Sequence, residues 1–147
     1  MTNPETVTSP EPYVILATFC EKVLQEKDGV PSLIRVIDRL LAAEPPEGQA
    51  ATFEIFYVAA IKSKSSLGEV KIRLRLFDDS GRPMAAKADE FVVQMSGNGR
   101  GGTVVARIEL TVATPGLHWM HIEANDRLLT RTPLSVEWIP QESPNPI

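Results

Sequence analysis

The stretch Pro115-Gly116-Leu117-His118-Trp119-Met120-His121-Ile122-Glu123-Ala124-Asn125-Asp126-Arg127-Leu128-Leu129 decides how this chain is read. His118, Met120, Ile122 and Ala124 alternate with Trp119, His121 and Glu123, which is the period of a strand. A tight turn follows, and Arg127 begins a returning strand. A hairpin this near the end of a chain is how the last strands of a β-sandwich are usually written.

Other strands appear on either side of it. Residues 133–138 read as the closing strand. Upstream, Val104, Ala106, Ile108, Leu110 and Val112 alternate with Arg107, Glu109 and Thr111 over residues 103–112. Val70, Ile72, Leu74 and Leu76 alternate with Lys71, Arg73 and Arg75, the clearest half-buried strand in the chain. Residues 90–95 make a short strand. Residues 52–61 are apolar on both faces, so that strand is either central or covered on its second face. Residues 13–20 are rich in β-branched and aromatic types and read as the first strand. For residues 21–41, Asp28-Gly29 between two apolar runs predicts a hairpin, and a short helix over 32–42 is the alternative. The loops are 44–48, 62–66, 78–81 and 96–102. Residues 1–12 and 139–147 are proline-rich with little to bury, and read as a flexible arm and tail.

The chain has 147 residues, which suits one domain, here 13–138. Twelve prolines and nine glycines favour a turn-rich β protein over a helical bundle. A net charge of -4 lacks the basic footprint that nucleic acid or an anionic membrane requires. One cysteine, Cys20, excludes an intrachain disulfide and leans towards a reducing compartment. The N-terminal residues do not look like a signal peptide, and no window reads as a membrane span. The expected location is the cytoplasm.

Two stretches resemble an uncharacterised bacterial family of small, immunoglobulin-like β-sandwich proteins of unknown function. One is Ala17-Thr18-Phe19-Cys20-Glu21-Lys22-Val23 with Asp28-Gly29-Val30-Pro31-Ser32-Leu33-Ile34-Arg35-Val36. The other is the opening stretch with Pro133-Leu134-Ser135-Val136. Together they cover about a third of the chain. The resemblance implies strands across 13–40 and implies no activity. This chain departs from the family pattern at His118, where an aromatic is usual, and at Asp126, where glycine is frequent.

Several residues are candidates for chemistry. Gly97-Asn98-Gly99-Arg100-Gly101-Gly102 spells a dinucleotide motif, but a β-branched strand follows it where a helix is required, so a hairpin loop is expected. His118 and His121 fall on opposite faces of a strand and cannot share a metal; His118 is expected partly buried and His121 exposed. Cys20 reads as a small buried hydrophobe. Asp78, Asp79, Asp89 and Glu90 offer a calcium loop, although Asp78-Asp79-Ser80-Gly81 is more simply a turn. Lys71, Arg73 and Arg75, with Lys62 and Lys64 upstream, form a candidate anion stripe, or a solvated face that discourages aggregation. No exposed aromatic is seen to interleave with them, so single-stranded nucleic acid is not favoured. Leu117 and Trp119 face outward if His118 faces inward, and Phe53, Phe56 and Tyr57 belong to a strand apolar on both sides. These five are the candidate interface.

The fold expected is mainly β, an antiparallel two-sheet immunoglobulin-like sandwich with at most one short helix. The function expected is a non-enzymatic protein–protein interaction or assembly module acting through sheet surfaces or edges. Its partner is another protein or a second copy, without cofactor, metal, nucleic acid or membrane. The alternative is a sandwich that binds calcium, lipid or carbohydrate through the 78–81 and 96–102 loops.

Overall fold

The computed structural model describes residues 11–84 and 90–140. The strands are β1 (Tyr13–Gln25), β2 (Pro31–Ile37), β3 (Arg39–Ala43), β4 (Ala51–Ser63), β5 (Gly68–Phe77), β6 (Glu90–Met95), β7 (Arg100–Val112), β8 (Gly116–Ala124) and β9 (Arg127–Ile139). A four-stranded sheet runs β2-β1-β4-β7, and a five-stranded sheet runs β3-β9-β8-β5-β6. Alternation drives this two-layer packing. Val104, Ala106, Ile108 and Leu110 of β7 face Ile72, Leu74, Met120, Ile122 and Leu134 of the other sheet, and all are buried. Their outward neighbours on β7 are exposed, which is the half-buried pattern of an antiparallel sheet.

The hairpins follow their turn residues. Asn125 and Asp126 both take positive φ, 47° and 67°, between the paired Ala124 and Arg127. Both φ signs suit the tight turn of a right-twisted hairpin, and Asn and Asp tolerate them well among non-glycine residues. Asn125 Oδ1 also accepts the Lys71 N–H at 3.1 Å, which pins this turn to β5. Between β1 and β2, Gly29 takes φ 84° and Asp28 Oδ1 accepts the Val30 N–H, so the expected hairpin forms.

Two expectations change. The described residues contain no helix, so the helical alternative for 32–42 is excluded. The segment is instead split between sheets. β2 pairs with β1 as far as Ile37↔Phe19; the chain then crosses at Asp38, whose carbonyl accepts the Ser135 N–H. β3 continues alongside β9 in parallel, from Arg39↔Ser135 to Ala43↔Ile139. One strand pair in the sandwich is therefore parallel, and the rest are antiparallel. The crossing lets Ile37 and Leu40 both reach the core from different sheets.

Residues 11 and 12, assigned to the flexible arm, are held in place. The Glu11 carboxylate accepts from Ser63 Oγ at 2.5 Å and from the Lys64 N–H at 2.8 Å, and Arg127 Nη2 donates to the Glu11 and Pro12 carbonyls. The rest of the arm, 1–10, and the tail 141–147 lie outside the described residues, as does Asp89.

Candidate functional site

The outer face of the five-stranded sheet carries the first candidate residues. Cross-strand pairing places Phe77 beside Trp119, Trp119 beside Pro133, and Arg75 beside His121. The Arg131 guanidinium lies 5.3 Å from the Trp119 ring and that of Arg75 lies 5.2 Å from Phe77. The Phe77 and His121 rings are 4.2 Å apart. Trp119 is thus half-buried within this ladder, while Leu117, Arg131 and Pro133 beside it are exposed. Phe77 ends the basic strand itself, and Trp119 and His121 join it from β8 alongside. No reading of β5 alone shows that arrangement.

Within the anion stripe, one of the three cations is engaged by an ion pair. Arg75 forms an ion pair with Glu123 at 3.4 Å. Arg73 stands between Glu90 and Glu123 in the sheet register, and its Nε is buried with no hydrogen-bond partner among the described residues. Lys71 is exposed opposite Val92.

The histidines divide as strand geometry requires. His118 is buried, and its Nδ1–H donates to the Gly116 carbonyl at 3.0 Å. His121 lies on the opposite face, half-buried rather than exposed. Burial, with Arg131 and Arg75 nearby, holds its pKa below the ordinary histidine value despite Glu123.

The loops are built as turns. Asp78 Oδ1 accepts the Ser80 and Arg82 N–H groups, each at 2.9 Å, and the Gly81 N–H closes onto the Asp78 carbonyl. Among the described residues no three His, Cys, Asp or Glu side chains converge on a metal position. The glycine loop folds onto residues 63 and 64, with the Asn98 and Gly99 N–H groups donating to the Lys64 and Ser63 carbonyls. At Gly101 the β4 backbone comes so close that an added Cβ would lie 1.8 Å from the Ile61 carbonyl oxygen. Gly101 thus serves the packing of β7 against β4.

The outer face of the four-stranded sheet differs in character. In register across it lie Val36, Cys20 and Phe56 in one row, Thr18, Val58 and Val105 in the next, then Leu16 and Ala60. Cys20 and Val58 are 0% and 1% exposed although they sit outside the core cluster. Val36 is 62% exposed, Leu16 43% and Ile34 40%, and Leu24 lies on the same side. Phe56 belongs to this face. Tyr57 does not: it is fully buried, with its ring 4.8 Å from Phe19, and Phe53 also packs on the core. Both are withdrawn from the candidate interface, because on β4 odd positions face inward. The sequence signal for this apolar face lies in the mixed apolar and polar side of β1 and β2, but their pairing is needed to assemble it.

A groove of about 500 Å³ also separates the first half of β1 from β9, with Leu16, Leu128 and Arg131 among its walls. β1 is bulged there between Val14 and Leu16, and Pro133 removes a donor from β9. Both features discourage strand pairing at these edges.

Residues 15–137 match the sequence model of a family of unknown function (DUF6941). No curated protein matches. Among solved structures, the chain is similar to an immunoglobulin-like protein from Pseudomonas aeruginosa, with 16% identity, 86% of this chain and 97% of that one covered, and a TM-score of 0.37. It is similar to the Pseudomonas fluorescens alkylpurine DNA glycosylase AlkC bound to DNA containing an abasic site analog, at 14% identity and TM-score 0.40. That match covers 68% of this chain but only 27% of the glycosylase. It is also similar to the periplasmic chaperone SfaE, at 15% identity, 72% and 56% coverage and TM-score 0.36. The described residues form a two-sheet, mainly antiparallel β-sandwich, and no helix among them is long and apolar enough to cross a membrane.

Proposed function

We propose that this chain, which belongs to the family of unknown function DUF6941, is a non-enzymatic protein-interaction module that docks through its four-stranded sheet. One observation carries the reading. The outer face of that sheet gathers Leu16, Val36, Phe56 and Val105 around the buried Cys20 and Val58 into an apolar patch, with Ile34 nearby and Lys22, Thr18, Thr103 and Arg107 at its borders. A soluble sheet exposed to water normally alternates apolar-in and polar-out, and a contiguous apolar outer face marks a contact surface.

The groups best suited to chemistry are committed to packing. Burial pushes the Cys20 thiol pKa up, which keeps it a protonated, poor nucleophile. His118 is held by Gly116, and Tyr57 by Thr132. The acidic net charge favours a protein partner over nucleic acid or an anionic membrane. The lone, buried Cys20 suits a reducing cytoplasm.

A photo-crosslinking side chain placed at Val36 or Leu16 in the producing cell tests this reading. Protein adducts should form from both positions and should be scarce from Lys71 on the opposite sheet. Equal yields from the two faces, or none from Val36 and Leu16, would reject it.

A further inference from the structure

We infer that one occupant of this sheet is a second copy of the same chain, joined edge to edge along β7 with a twofold axis at Ile108. The inference deepens the docking reading and rests on it. β2 carries Arg35 in a left-handed conformation, at φ 58°, and begins with Pro31. β3 and β6 have five and six residues. The open halves of β1 and β9 carry the bulge and Pro133 already described. Each of these edges is blunted in a way natural sheets use to prevent pairing.

β7 is not blunted in these ways. It runs 13 residues, contains no proline, and pairs with β4 without a register shift from Ser63↔Arg100 to Ala51↔Val112. β4 uses one side of its backbone; the other side is the end of the sheet. Among the described residues, Val93 of the opposite sheet leans on Gly102 near the start of β7. The middle and far end of the strand are the part a second strand can reach.

Charge then selects the register. Glu109 stands directly across from Glu54, a like-charge pair. The nearby cation, Arg107, is bound to Glu54 at 2.7 Å, and Glu109 has no ion pair among the described residues. In antiparallel self-pairing, an axis at Arg107 sets two arginines face to face, and an axis at Glu109 sets two glutamates face to face. An axis at Ile108 sets Arg107 opposite Glu109 of the second copy, twice by symmetry, and sets Val105 opposite Thr111. The same register leaves the inward residues Val104, Ala106, Ile108 and Leu110 facing the core side in both copies. The two four-stranded sheets become one continuous sheet whose apolar outer faces lie on the same side.

Sedimentation equilibrium on the full chain tests the pairing through charge reversal. The unaltered chain should dimerise. R107E and E109R should each weaken dimerisation roughly tenfold, because two facing pairs change from attraction to repulsion. An equal mixture of R107E and E109R chains should restore it as a heterodimer, since each supplies the charge the other lacks. Circular dichroism melts confirm that each variant is folded, and the rescue in the mixture shows that a lost dimer is not a lost fold. A monomeric unaltered chain, or a dimer indifferent to both reversals, would overturn the inference. Protein adducts from Val36 in a chain that is monomeric would sink the self-pairing alone, whereas a dimer without such adducts would sink only the docking of another protein on the face.

Discussion

The Tyr57 hydroxyl lies 2.6 Å from Thr132 Oγ1, a hydrogen bond that joins β4 of one sheet to β9 of the other beside the core. Burial pushes the phenol pKa up to about 12, with the Thr132 bond acting in the opposite direction. The folded state therefore favours the neutral phenol. That contribution is fully present below the unfolded value near pH 10 and is lost as pH rises through about 12. Stability should fall by roughly 2–3 kcal/mol across this window. Tyr57→Phe should remove most of that slope and cost about 1 kcal/mol at neutral pH by leaving Thr132 unpaired. Chemical denaturation of both proteins at neutral and alkaline pH checks this, and identical slopes would contradict it.

The anchor at Glu11 should respond to acid. Its carboxyl pKa lies below the ordinary value because Ser63 Oγ donates to the charged form; desolvation opposes this, and the Lys64 and Ser65 N–H groups and the Lys64 charge add to the lowering. A depressed carboxylate stabilises above its unfolded value, near pH 4.5, and that help disappears as pH falls through the folded one. Amide exchange at Lys64 and Ser65 should accelerate in acid, and Glu11→Gln should show the faster exchange already at neutral pH. Unchanged protection in the variant would show that the carboxylate is not the anchor.

Glycine substitutions should separate packing from conformation in the 97–102 loop. An added Cβ at Gly101 meets backbone of β4, while at Gly99, φ 70°, it meets open space. Gly101→Ala should cost at least about 3 kcal/mol, because neither strand can move without breaking the ladder. Gly99→Ala should cost about 1 kcal/mol, from left-handed strain alone. Urea midpoints give the comparison; equal losses would mean β4 and β7 are not held this closely.

Cys20 should be unreactive while the protein is folded. Its side chain is fully buried between Val36 and Phe56, and burial raises its pKa. Thiol titration at neutral pH should be slow in native protein and immediate in denaturant. Cys20→Ser should destabilise by roughly 1–3 kcal/mol by burying an unpaired hydroxyl. Fast native labelling would show that this outer face opens to solvent.

Much of the sandwich was legible in the chain. The alternations of β5, β7 and β8 named both the strands and their inward faces, and Asp28-Gly29 marked the first hairpin. Asn125-Asp126 closed the last hairpin. The candidate surface was less legible. Phe53 and Tyr57 looked like interface residues because β4 is apolar on both sides, and only its place between β1 and β7 decides which side meets the other sheet. Trp119 looked exposed because the covering Arg131 is on another strand.

By itself the sequence determined periodicity, turn chemistry and charge, since each depends on residues a few positions apart. Two strands' worth of local pattern cannot say which sheet each joins. The crossing at Asp38, the parallel β3–β9 pair, the apolar face built from β1, β2, β4 and β7, and the β7 edge, unpaired among the described residues and with Glu109 facing Glu54, were decided only by tertiary structure. The physical reason is that strand partners are chosen by burial of whole faces and by backbone pairing between distant segments, neither of which leaves a mark on any single stretch.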